Sequence, residues 1–174
     1  LEKRKPNGGI DSSFGVNGKI YIDEIVPNAI NQIIIDDDGS IYCKSENEIL
    51  KLTLLGEKDS TWGNQGMIEH DSLFTANSIV ITNGEIVIFG TIVGQDYEEF
   101  ILSSLWFDNK GKPILWNGDA LKTYDLGTYE QIPRSIILDN QGDLLIGGYA
   151  SEYYEVAKDM VLLKIKPSGE FDTS

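Results

Sequence analysis

Four tyrosines and four glutamates crowd into two short stretches, "VGQDYEEF" (93 to 100) and "YASEYYEVAKD" (149 to 159). Tyr97, Tyr149, Tyr153 and Tyr154 stand there among Glu98, Glu99, Glu152 and Glu155. A loop tyrosine buries a large area for little lost freedom, so the chemistry offered is recognition, and these four are the candidate binding residues. The same rings can also cap a sheet edge. His70 is the single histidine, between Glu69 and Asp71. Neighbours along a strand point to opposite faces, so that tripeptide assembles neither a metal site nor a general base. With Cys43 the single cysteine, no disulfide forms within the chain, and a zinc site or Cys-His pair would need Cys43 and His70 to meet in space. Asp36, Asp37 and Asp38 before Gly39 offer hard oxygen ligands. An EF-hand loop begun at Asp36 nevertheless places Ile41 where glycine is needed and Asn47 where glutamate is needed, which leaves an acidic hairpin tip. Trp62, Trp106 and Trp116 are candidate platforms for sugars, although Trp62 and Trp116 recur at near-equivalent places, as core residues would. The sequence nominates no catalytic residue, no metal ligand and no cofactor.

The bulk properties narrow the partners. Fourteen basic against 28 acidic residues give a net charge of -14, which argues against nucleic acid or an anionic membrane. At 41% hydrophobic residues the 174-residue chain can bury an ordinary core. No apolar run approaches the roughly 18 to 20 residues of a membrane helix. The start, "LEKRKPNGG", carries no apolar segment after its charges, so the expectation is a cytoplasmic chain or one whose signal has been removed.

The elements that position these residues come in repeats. "GGIDSSFGVNGKI" returns as "GEKDSTWGNQGMI", with Gly56, Asp59, Trp62, Gly63 and Gly66 standing for Gly8, Asp11, Phe14, Gly15 and Gly18. A hairpin recurs at 28 to 45, 75 to 91 and 132 to 149, each with a polar-Gly turn at Gly39, Gly84 or Gly142. A closing strand recurs at 48 to 57, 100 to 112 and 160 to 170. Measured between leading glycines the units are 48 (Gly8 to Gly56), 55 (Gly56 to Gly111) and 58 (Gly111 to Gly169) residues long. No segment keeps a helical period, so the fold class expected is all-β, with three four-stranded antiparallel sheets arranged as propeller blades. In that reading the glycine motif leaves an outer strand and crosses to a new inner one, at about 18 to 25, 66 to 70 and 120 to 126. Its glycines allow unusual backbone angles, its aspartate bonds nearby amides and its aromatic plugs the gap between sheets.

With "G-x-x-D-x-x-F-G-x-x-G" and "A-x-x-I-x-x-D-G-x-I-x-x-x-G" both in place, the chain resembles the delta-60 repeat family of bacterial β-propeller units over nearly its whole length. The third motif, "GKPILWNGD", lacks the aspartate and keeps only Gly111, Trp116 and Gly118. The resemblance implies a repeat domain over 1-174, with blades at about 9-56, 57-111 and 112-169. Residues 1-8 would end a preceding blade and 170-174 begin a following one. It implies an exported or surface setting and no reaction. The function expected is a non-enzymatic interaction or scaffold module of a larger bacterial protein, with a protein or glycan partner and no membrane insertion. A propeller enzyme of quinoprotein or sugar-processing type completed by other blades, or a carbohydrate-binding propeller, is the alternative. Since propellers close with roughly four to eight blades, three call for a longer chain or for a homodimer closing a six-blade ring.

Overall fold

Strand-forming residues in this chain alternate with turns every few positions, and the computed structural model follows them. It describes residues 1–22, 29–70, 73–94, 99–152 and 157–173. These are all-β: among the described residues there is no helix, and so none long and apolar enough to cross a membrane. They form two compact units, Leu1–His70 and Asp71–Ser174.

In the first unit, β1 (Gln32–Ile35), β2 (Ile41–Lys44), β3 (Glu48–Leu52) and β4 (Met67–Glu69) pair antiparallel in that order. Ile41, Cys43, Leu50 and Leu52 point to one face and pack with Phe14 and Ile22. The first 22 residues thus furnish one side of the core.

The second unit holds β5 (Phe74–Thr82), β6 (Glu85–Val93), β7 (Phe100–Phe107), β8 (Leu121–Tyr124), β9 (Glu130–Leu138), β10 (Leu144–Ser151) and β11 (Asp159–Ile165). The order is β11-β10-β9-β7-β6-β5, with β8 also on β7. Two sheets, of four and seven strands, therefore replace the three four-stranded sheets expected. The extra continuity rests on one parallel register position, Phe100 opposite Glu130, where Phe100 N–H donates to the Tyr129 carbonyl at 3.0 Å. Beyond it β7 and β9 splay, and the buried Gln131 amide fills the opening by accepting from Leu102 and Leu126 N–H and donating to the Thr128 carbonyl. Val87, Phe89, Leu102 and Trp106 of β6 and β7 form one core with Ile136, Leu144, Ile146 and Ile165 of β9, β10 and β11.

The glycine motif does not cross between sheets. β4 returns antiparallel on β3 and β8 on β7, so each copy is a double reversal inside one sheet. The second reversal is a two-residue turn with both central residues at positive φ, Asn17-Gly18, Gln65-Gly66 and Asn117-Gly118. Such a turn matches the strand twist and sends the chain back along its own neighbour.

Candidate functional site

Of the four candidate binding tyrosines, Tyr97, Tyr153 and Tyr154 lie outside the described residues. Tyr149 is half-buried on β10 and held by cations. Lys158 Nζ lies 4.2 Å from its ring centroid and the Arg134 guanidinium 5.3 Å. Both also donate to its hydroxyl, at 3.1 Å and 3.4 Å. Lys158 pairs with Glu130 at 3.3 Å. The Tyr149 hydroxyl, followed by Glu130, holds the Lys158 ammonium above its ordinary range. In an acidic chain this is a local positive cluster.

Cross-strand register places Tyr149 on the same face as its partner Met160, and on the face of Leu145 and Gly147, whose partners are Lys164 and Leu162. Ile137, opposite Leu145, completes the row. Met160 is 96% exposed, Leu162 74% and Ile137 58%. The opposite end of that face, at the β9–β10 turn, is acidic. Lys164 Nζ there meets Asp143 at 2.8 Å, Asp139 at 3.0 Å and Asp172 at 3.6 Å, and Asp143 and Asp139 raise its pKa. The strip is thus apolar along its length, with Tyr149, Arg134 and Lys158 at one end and three aspartates at the other, a mixture of residue types found in protein interfaces.

The repeat residues Gly8, Asp11, Phe14, Gly15, Gly18, Gly56, Asp59, Trp62, Gly63 and Gly66 serve a second device. Main-chain N–H of Asp11, Asp59 and Asp172 donates to the carbonyl of Lys3, Lys51 and Lys164, and the same pairs close ion pairs at 3.6, 3.1 and 3.6 Å. Asp59 also accepts from the Thr61 hydroxyl at 2.6 Å, which leads the lowering of its pKa, and Asp11 does the same with Ser13. At the equivalent place between β7 and β8, Ile114 N–H donates to the Trp106 carbonyl, so the charged pair is replaced by Trp106 and Ile114. Trp106 packs edge-on to Trp116, centroids 5.5 Å apart, and Lys122 Nζ stands 4.1 Å over Trp116. Burial lowers the Lys122 pKa, with Glu170 pulling back. The Trp116 indole N–H is buried without an acceptor among the described residues.

No protein-family model matches the chain, and no curated protein matches it. A solved structure named "Glycoside hydrolase" aligns over 80% of this chain and 33% of its own length, at 15% identity and a TM-score of 0.49. The chain spans about a third of that protein.

Trp62 and Trp106 are 2% and 1% exposed, so neither can serve as a sugar platform. Trp62 meets Tyr42 edge-on inside the first unit. Cys43 is wholly buried among aliphatic side chains, which pushes its thiol up to about 11 and leaves it unreactive. Gly39 closes an ordinary turn at the acidic tip, where Asp38 accepts from Ser40 N–H at 2.7 Å, and no metal-sized group of His, Cys, Asp or Glu exists among the described residues. Gly84 and Gly142 occupy the matching turns. Sequence reasoning missed Lys44. It is fully buried, and its ammonium donates to Asn31 Oδ1 at 2.9 Å and the Ser45 carbonyl at 3.0 Å.

Proposed function

We propose that this chain is a non-enzymatic interaction module of propeller-type repeat sheets, as the delta-60 resemblance implies, and that it docks a second copy on the uncovered face of β9–β11. One observation carries this. Val80, Val87, Leu102 and Trp106 are the register counterparts of Ile137, Leu145, Met160 and Lys164, and in β5–β7 those positions are packed against a neighbouring apolar sheet face. In β9–β11 no sheet of the second unit covers these positions: Ile137 and Met160 are exposed, and Leu145 and Lys164 half-buried. Contiguous apolar rows of this kind on soluble proteins mark interaction sites.

Charge selects the second copy as occupant. A two-fold axis through the strip lays the Arg134–Lys158 end of one copy over the Asp139–Asp143 end of the other, so that both ends are matched by one operation. An exported or surface setting belongs to the same proposal, through the resemblance. Sedimentation equilibrium tests it. Leu162→Asp is expected to raise the dimer dissociation constant about a hundredfold, since it puts a charge into an apolar seat. Arg134→Glu is expected to raise it about tenfold. Association of both variants at wild-type strength would show that this face is not the seat of a dimer.

A further inference from the structure

The motif between β7 and β8 is the copy that departs from the plan, and the departure opens a cleft. In the first unit the corresponding aromatic, Phe14, packs against Gly56, where a β-carbon would fall 2.8 Å from its Cε2. Gly169 takes the same position against Trp116, with a β-carbon 2.8 Å from Cη2. Phe14 is fully buried in its seat, whereas Trp116 remains half-exposed. Beside it lies a cleft of about 410 Å³, walled by Trp116 and Leu121, by Thr123 and Ser168, and by Lys122 and Glu170.

We propose that this cleft binds a neutral saccharide. Its volume falls within the roughly 300 to 1,000 Å³ of small-ligand sites. Leu121 and the part of the Trp116 ring that Lys122 Nζ leaves uncovered offer apolar contact for the C–H groups of a sugar, as amphipathic ligands require. The polar wall contains a donor that cannot accept, Lys122, an acceptor that cannot donate, Glu170, and two hydroxyls that do both. Sugar hydroxyls satisfy all of these together. An anion would face Glu170 and the net charge of -14, and a cation would face Lys122, which makes no ion pair with any described residue.

Calorimetric titration of the whole 174-residue chain with maltohexaose, cellohexaose and chitohexaose tests the proposal, with polygalacturonate and spermine as charged controls. At least one neutral hexaose is expected to bind with a dissociation constant below about 1 mM. Trp116→Ala should weaken it at least about tenfold, and Glu170→Ala and Ser168→Ala about fivefold each. Glu170 and Ser168 are exposed, so their variants keep the wild-type melting curve even if Trp116→Ala fails to fold. No binding of a neutral hexaose at about 10 mM, tighter binding of either charged control, or binding that both exposed-site variants leave unchanged would overturn it.

Discussion

Lys44 stands where the other two hairpins place Phe89 and Gly147, a wholly apolar register position occupied by an ammonium. Burial pushes its pKa from the ordinary 10.5 down to about 8, while Glu46 pulls partly back. The unfolded chain therefore holds a proton that the folded chain has shed between those two values, and stability contributed by this residue rises with pH across that window. Below pH 8 both states carry the proton, and the penalty for burying it is present in full. The whole shift corresponds to about 3 kcal/mol. Urea titrations of wild type and Lys44→Met at pH 7 and pH 10.5 should show the wild type gaining on the variant by most of that amount at the higher pH. A constant difference would mean that the ammonium reaches water. Nothing in sequence marks this lysine, because the strand "IYCKS" places it among residues that elsewhere alternate between covered and solvated faces. Residue type alone makes Tyr149 a candidate binding residue, whereas the Arg134 and Lys158 that clamp it lie far from it in sequence or outside its strand and carry no signal that they would meet it.

Among the elements, the three hairpins β1–β2, β5–β6 and β9–β10 follow directly from apolar runs flanking polar-Gly turns. The strands after the second and third glycine motifs, β4 and β8, pair back within their own sheet instead of opening a new one, for a physical reason. A strand entering from a loop can pair on either side, and the choice here is made by two successive left-handed residues, one of which is Gln65 or Asn117, not glycine. The apolar replacement at Trp106 and Ile114 was hidden because the third motif is shorter and loses the aspartate that aligns the others. Glycines in these elements differ in what they exclude. Gly56 combines φ +84 with the close approach to Phe14, whereas Gly142 has φ +83 and open space. Thermal unfolding should report a loss of about 1 kcal/mol for Gly142→Ala, from the backbone alone. Gly56→Ala should cost about 3 kcal/mol, since the aromatic seat must shift as well. Equal losses would mean that the Phe14 contact is not a constraint.

For the whole molecule, "DMVLLKIK" reads as an edge strand apolar on both sides, and the sequence alone does not say which side is covered. Packing within the second unit decides it. Ile165 is sealed in the core, and Met160 and Leu162 face out with Ile137 in one row. Two-fold docking of that row would show in the solution molar mass of the wild-type chain, measured by light scattering across a hundredfold range of concentration. A mass of twice 19.3 kDa that falls toward 19.3 kDa on dilution is the expected result. A mass of 19.3 kDa at every concentration, reaching about 0.1 mM where a functional dimer should be filled, would contradict it.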